Sequence, residues 1–457
     1  MSSGVGQVRI PEKSIEVVES GGIASGGWVP FDLGRDFEFS TEALETYAFA
    51  SWEPVIYDAM VVAAAIEYGD RILKRPPRGW ARRIALRIPV HDPERWNDGE
   101  LSEALLDAAG FLTGDYWSIE FVRRANPAPS PHSDYLNLPV PTEAVLAYSD
   151  GMDSRAVAGL VGAGLGTKLV RVRVGSNEIG RPDKKSYREP FTLVPYDVPC
   201  NMPNREASAR SRGFKFALIT GIAAYLSGAK EIVIPESGQG AIGPAIASVV
   251  HAYPDYRNHP RFTQRMERLL RALFGREIRY VFPRLWSTKG ETLRSFAALP
   301  EGTTWHATRS CWRSNRWSSV NGKRRQCGVC AACMLRRVSV HAAGLTEAED
   351  TYVCTDPTAA SLEEAVDRDF TRMTPAYRQY AIAGVLHMDH LADLASKDGL
   401  PVVRRHAAML APALGVGKDQ TEESLTRMLS EHASEWKEFV RSMGSNSFVR
   451  QWVRAGL

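Results

Sequence analysis

The stretch Val145-Leu-Ala-Tyr-Ser-Asp-Gly-Met-Asp-Ser-Arg155 constrains this chain more than any other. An apolar run, Ala144 to Tyr148, reads as a buried strand. It enters a hydroxyl-rich turn, Ser149 to Ser154, and the small-residue segment Arg155 to Gly164 reads as the start of a helix. A strand that turns directly into a helix aims backbone N–H groups and hydroxyls at one point at a helix N-terminus, which suits an anion. A Walker loop is the competing phosphate cradle, but no G-x-x-x-x-G-K-[ST] spacing occurs, and Gly162 to Lys168 does not supply it. The plain alternative is an ordinary strand–turn–helix in which Ser and Asp serve only as caps.

A second feature is a knot of thiols. Cys311 is followed by Cys327-Gly-Val-Cys330-Ala-Ala-Cys333, so four of the six cysteines are clustered. Two-residue spacers let consecutive thiolates converge on one ion, and four thiolates make the closed tetrahedral site of structural Zn2+. An iron–sulfur cluster suits the same ligands. Disulfides are the third option, but the chain opens on no leader-like apolar stretch, and C-x-x-C pairs bridge awkwardly. Cys200 and Cys354 stand apart and read as buried or partly buried free thiols.

The loop resembles the S-G-G-x-D-S motif of the PP-loop ATP-pyrophosphatases. With the cysteines and the basic Met334-Leu-Arg336-Arg337 in this order, it resembles the 7-cyano-7-deazaguanine synthase (QueC) family. Three further segments carry that likeness: Ser211 to Tyr225, which resembles an Arg-bearing loop opening a long helix; Gly228 to Gly240, a strand and substrate loop; and Ser287-Thr-Lys289-Gly-Glu291, a helix start. The likeness spans roughly 142–345. It implies an α/β fold, the adenine nucleotide alpha hydrolase-like doubly wound parallel sheet, with a zinc-binding segment. It also implies ATP and Mg2+ as cofactors. Ser149, Asp150, Gly151, Met152, Asp153 and Ser154 would hold the nucleotide, with Asp153, Lys289 and Arg212 as catalytic groups. Glu236 and Gln239 would read a deazapurine, and Cys311, Cys327, Cys330 and Cys333 would hold zinc.

The chain also departs from that pattern. Asp150 stands where the family has Gly, and a carboxylate beside pyrophosphate needs a cation between them or must point away. The substrate loop, Glu236-Ser-Gly-Gln-Gly, lacks the family's aspartate-bearing sequence. The gap between Cys311 and Cys327 is long and carries Arg313, Arg316, Lys323, Arg324 and Arg325 beside Trp312 and Trp317. The length, about twice that of a minimal synthase, resembles the synthase-like proteins of bacterial anti-phage operons, such as the Qat system and a branch of CBASS systems. That likeness implies transfer of a deazaguanine to a partner protein's amino terminus.

At 457 residues the chain has room for about three domains. The expected division is an N-terminal α/β extension over 1–126, a Pro-rich linker over 127–141, the PP-loop domain with its zinc site over 142–345, and a helical region over 346–457. Trp52 to Leu73 reads as a helix, Arg83 to Val90 as a strand, Leu101 to Ala109 as a helix and Tyr116 to Val122 as a strand. Strands at 144–148, 168–174 and 231–235 with a helix near 205–227 continue the alternation. Ser361-Leu-Glu-Glu364 has capping-box spacing. Leu425, Met428, Leu429, Trp436, Phe439, Val440 and Met443 share a helical face that reads as core. His387 and His390, without further ligands, read as structural.

A formal net charge of +3 points to neither nucleic acid nor anionic lipid as the main partner. No run approaches the ~18 apolar residues of a membrane span, and a thiolate site suits a reducing cytoplasm. The chemistry that fits is attack of a carboxylate on the α-phosphorus of ATP, then transfer of the acyl group to an amine. The acceptor is expected to be a partner protein encoded nearby. The alternatives are an ordinary nitrile synthase using ammonia, a transfer-RNA-modifying PP-loop enzyme, and a non-catalytic scaffold in which Asp150 disables the loop. The basic loop at 312–326 could bind RNA by phosphate and stacking contacts, although a solvated ribbon surface is the favoured reading.

Overall fold

The computed structural model describes residues 10–39, 53–126, 142–175, 191–199, 205–247, 253–313 and 318–453. The Pro-rich linker, Cys200, Arg316 and Trp317 lie outside the described residues. The chain divides into two compact units, each assembled from three separate segments. One comprises Met1–Tyr148, Leu165–Ile234 and Asp255–Val281; the other comprises Ser149–Gly164, Pro235–Pro254 and Phe282–Leu457.

The first unit is built on two sheets. The four-stranded one uses β1 (Glu12–Val18), β2 (Val29–Asp32), β4 (Arg83–Val90) and β5 (Tyr116–Arg123) in the order β2-β1-β4-β5, all parallel. The six-stranded sheet uses β3 (Glu38–Phe39), β6 (Ala144–Ala147), β7 (Leu169–Gly175), β8 (Phe191–Asp197), β9 (Glu231–Val233) and β10 (Arg279–Val281). Its order is β10-β9-β6-β7-β8-β3, parallel except for the β3 edge. Ala144, Val145 and Leu146 are all buried, as expected of a central parallel strand covered on both faces. Succession runs one way from β6 through β7 to β8 and the other way to β9 and β10. The sheet therefore reverses between β6 and β9, and the loop after β6 leaves at the carboxyl edge beside that switch point, where ligands bind in open α/β sheets.

Helices fill the space between these sheets. The helix Pro54–Ile72 opens on a proline, which is pre-set for a first helical turn, and is buried almost all the way round. It contacts β1 and β4 on one side and the helix Arg212–Ser227 on the other, and that second helix contacts β6, β7 and β9. The expected helices and strands at 52–73, 83–90 and 116–122 are found within a few residues of their predicted ends. Glu12–Val18 was not read as a strand from the sequence, although Ile15 and Val17 alternate inward. The helix predicted near 205–227 starts only at Arg212. The physical reason is Asp70, whose Oδ2 accepts the backbone N–H groups of Arg210 and Ser211 at 2.6 and 2.7 Å and holds the preceding segment in a loop.

Asp70 also belongs to a buried charge network. Arg82 is fully buried, pairs with Asp70, and lies 2.6 Å from Asp115, while Arg75 lies 2.9 Å from Asp115. Two carboxylates and two guanidiniums compensate one another, so loss of one member leaves a charge out of water without a partner.

The second unit is mostly helical, with the helices Met152–Leu165, Lys289–Ala297, Ala331–Ala342, Pro375–Asp393, Leu400–Leu414 and Lys418–Ser442 and a two-stranded ribbon, Ser319–Val320 with Lys323–Arg324. The expected helical character after Gly344 is present. Ser361 caps the short helix Leu362–Ala365 by accepting from the Glu364 N–H. The apolar stripe from Leu425 to Val440 is buried, as its spacing predicts for core. Among the described residues no helix is long and apolar enough to cross a membrane.

Asp70→Ala should destabilise the fold by about 3–5 kcal/mol in denaturant titration. A loss below 1 kcal/mol would mean that the network contributes little.

Candidate active site and metal centre

The loop after β6 is shaped by its own hydroxyls. Ser149 N–H donates to Ser154 Oγ at 2.8 Å, and Gly151 N–H donates to Ser149 Oγ at 3.2 Å. The Asp150 carbonyl accepts the Arg309 N–H at 2.7 Å, and Asp150 itself is exposed. The helix begins at Met152, three residues earlier than predicted, so Asp153 and Ser154 belong to its first turn. The Met152 side chain packs with Ala156, Leu293 and Phe296 as a core anchor, leaving only its backbone at the helix start. A first helical turn presents N–H groups that lack intrahelical partners, so the mouth of this loop carries partial positive charge.

Asp153 and Lys289 meet here. Both are buried, at 6% and 7% exposure, and they form an ion pair. Asp153 Oδ1 accepts from Ser237 Oγ at 2.8 Å, and Ser237 Oγ lies 3.0 Å from Thr292 Oγ1. Lys289 opens a helix capped by Thr288 and Glu291. Thr288 Oγ1 accepts the Glu291 N–H, and the Glu291 carboxylate accepts the Thr288 N–H at 2.8 Å. This capping box was readable in Thr288-Lys-Gly-Glu291.

The substrate-loop residues divide. Glu236 is half-buried, and its carboxylate lies against Gly240, where a Cβ would stand 2.0 Å from Oε1. Gln239 is 1% exposed, and both ends of its amide are engaged inside the protein. Oε1 accepts the Lys289 N–H at 2.6 Å, and Nε2 lies 2.8 Å from His432 Nδ1. Arg212 belongs to the first unit, where it opens its helix and stacks over Phe216. Its side chain is exposed by area, and partial desolvation with the neighbouring Arg257 lowers its pKa.

Ser237, Thr288, Thr292, His432 and Glu435 complete this neighbourhood and are not among the site residues that the sequence suggests. His432 and Glu435 did carry a signal. They fall at core spacing among Leu425, Met428, Leu429, Trp436 and Phe439, on a face that is otherwise apolar. Burial lowers the His432 pKa to about 4 and pushes the Glu435 carboxyl up to about 7.

The four clustered cysteines converge as their spacing predicts. Their sulfurs all lie within 4.8 Å of one another, and Cys327 Sγ and Cys333 Sγ are 3.8 Å apart. Zinc–sulfur bonds of about 2.3 Å imply tetrahedral edges of about 3.8 Å. Backbone N–H groups of Cys327 and Cys330 donate to Cys311 Sγ and Cys327 Sγ at 3.2 and 3.3 Å, the contacts that support thiolates. Hydrogen bonds from the other three thiols hold Cys311 far below the usual thiol range, while burial pushes Cys333 well above it. Four sulfurs packed this closely need a shared cation for all of them to ionise. The residues therefore fit a metal ion such as zinc, in a closed site. Gln326 Oε1 accepts the N–H groups of Ser310 and Cys311, which ties the distant first cysteine to the other three.

The basic loop is less of a surface than its sequence suggests. Arg313 is buried over Tyr377 at 4.9 Å, and Arg325 pairs with Asp367 at 2.6 Å. Lys323 and Arg324 are exposed. Cys354 is buried as expected, and burial raises its thiol pKa to about 11. His387 is bonded to the Ala247 carbonyl at 3.0 Å, in keeping with a structural histidine.

Residues 227–344 match the sequence profile of the family described as queuosine biosynthesis protein QueC. The matched segment contains Glu236, Gln239, Lys289 and all four clustered cysteines; the Ser149–Ser154 loop and Arg212 lie before it. No curated protein matches the chain.

Two predictions follow from these arrangements. Metal analysis should return about one zinc per chain, and Cys330→Ser should lower soluble yield and melting temperature. A well-folded chain with no metal would refute the site, and a brown one would indicate iron. Glu435 concerns pH. Its folded pKa, about 7, lies above the ordinary 4.5, so the folded state keeps a proton that the unfolded state has released. That contribution is present in full below 4.5 and is lost as pH rises towards 7. Glu435→Gln should flatten stability against pH across this window, and an unchanged slope would contradict the assignment.

Proposed function

We propose that this chain is an ATP-using enzyme of 7-deazaguanine chemistry that adenylates a carboxylate and passes the acyl group to an amine. The observation that carries this reading is the Asp153–Lys289 pair, which sits at the mouth of a strand–loop–helix suited to pyrophosphate. The QueC-like segment supports a deazaguanine as the substrate class.

A carboxylate is a poor electrophile because it has no leaving group. Attack of its oxygen on the α-phosphorus of ATP forms an acyl-adenylate and breaks the bond to the bridging oxygen, so pyrophosphate departs. An amine then attacks the acyl carbon, AMP leaves, and the amine proton passes to solvent. The first step depends mainly on stabilising charge on the departing pyrophosphate. The N–H groups of the first helical turn and the Lys289 ammonium would do this, with Ser149, Gly151 and Ser154 shaping the loop. Asp153 is the residue that would hold Mg2+, which when bound neutralises phosphate charge; the exposed Asp150 would be a second ligand for the same ion. The half-buried Glu236 would accept the N1–H and amine of a deazaguanine. Zinc has no part in the chemistry, because four thiolates leave no open position for a reactant.

The substrate we favour is 7-carboxy-7-deazaguanine or a close analogue. The acceptor we favour is the amino terminus of a partner protein, giving an amide without dehydration to nitrile. Ammonia would need only a small opening, whereas this chain adds much material on either side of the QueC-like segment.

Asp153→Asn, nearly isosteric, should lower AMP formation by at least about 100-fold, with melting curves checking the fold after Lys289 loses its buried partner. Full ATP cleavage by this variant would remove the assignment. Intact-mass spectrometry of co-expressed neighbouring proteins should find a deazaguanine adduct. Unmodified partners together with accumulating free 7-cyano-7-deazaguanine would identify an ordinary nitrile synthase.

A further inference from the structure

Helix Lys418–Ser442 lies wholly beyond the QueC-like segment, yet it reaches each position that fixes the start of the Lys289 helix. The Thr288 cap donates its hydroxyl to Glu435 Oε1 at 2.6 Å. The Lys289 N–H donates to Gln239, and Gln239 donates in turn to His432. Glu291, third in the helix, is gripped by both ends of the Arg427 guanidinium at 2.7 and 3.1 Å.

The direction of this relay is fixed. His432 Nε2 lies 2.9 Å from the Met388 carbonyl, which can only accept, so Nε2 carries the proton and Nδ1 is the acceptor. Gln239 must then turn its NH2 to His432 and its oxygen to Lys289, and it does. A buried imidazole kept neutral suits an acceptor at Nδ1. Glu435 is 4% exposed, and its Oε2 has no hydrogen-bond partner among the described residues. A buried carboxyl with one unsatisfied oxygen costs stability, so its presence against the Thr288 cap calls for a reason beyond packing. Gly290 makes that approach possible: a Cβ there would stand 2.3 Å from Glu435 Oε1.

We infer that the helix Lys418–Ser442 is a working part of the active site, in which His432 (through Gln239) and Glu435 (through Thr288) position the Lys289 ammonium. Both are positioning residues, and Gln239 serves the lysine rather than a nucleobase edge. This rests on the proposed adenylation, in which Lys289 meets the phosphates. Misplacement of such a group by about 1 Å costs on the order of 100-fold in rate, so a cap this heavily braced has a kinetic consequence.

The test uses the full chain and follows pyrophosphate release from MgATP. Gln239→Leu and Glu435→Leu should each lower kcat by about tenfold to 100-fold, with KM for MgATP within about threefold. In a Lys289→Ala background neither should cost more than about twofold further, because each acts only through that lysine. Glu435→Gln, which keeps an acceptor for the Thr288 hydroxyl, should recover most of the rate lost by Glu435→Leu. Melting curves separate misfolding from mispositioning, since a merely structural residue would cost as much without Lys289 as with it. Cleavage that Lys289→Ala slows but Gln239→Leu and Glu435→Leu leave at the wild-type rate would overturn the inference alone. No ATP cleavage by the wild-type chain would overturn the adenylation reading, and this inference with it.

Discussion

A carboxylate and an ammonium, each less than a tenth exposed, face one another at Asp153 and Lys289, and the surrounding hydrogen bonds of the second unit are arranged about that pairing. Buried ions lose hydration that mutual attraction restores only when their other lone pairs and protons are also met. Ser237 meets the second oxygen of Asp153. The lysine is held through its backbone, with Thr288 and Glu291 closing the cap and Gln239 taking the Lys289 N–H. Tying the lysine by its backbone leaves its ammonium to the carboxylate.

The thiol knot solves a different problem in the same unit. Cys327, Cys330 and Cys333 are fully buried among Val329, Met334, Val338 and Tyr377, and Cys311 joins them from across a long insertion. Thiolates in such surroundings need a cation, and a cation bound by four sulfurs is a cross-link between distant parts of the chain. Arg313 and Arg325 are drawn into this region by Tyr377 and Asp367, so two charges that the sequence offered to solvent became part of the framework.

Local order was legible wherever neighbours in sequence decide it. The apolar run from Ala144 reads as a buried strand, the C-x-x-C spacing as converging thiols and Ser361-Leu-Glu-Glu364 as a helix cap, and each is found. Legibility failed where a remote partner intervened. The Arg210 and Ser211 N–H groups are taken by Asp70, so the helix read as beginning near 205 begins at Arg212. His432 and Glu435 lay in plain view on an apolar stripe. Nothing local says that one imidazole and one carboxyl would reach a different helix's first turn.

The sequence by itself determined the buried strand at Ala144 with its hydroxyl-rich turn, the four-thiol knot and the presence of a helix near 52–73, because hydrophobic period, turn chemistry and ligand spacing act over a few residues. Only the tertiary structure decided which charges would share a site. It set Asp153 beside Lys289, turned Gln239 inward to His432, and spent Met152 on the core. Those outcomes depend on which buried groups can satisfy one another once the chain is packed, a matter settled by distance in space and invisible to distance along the chain.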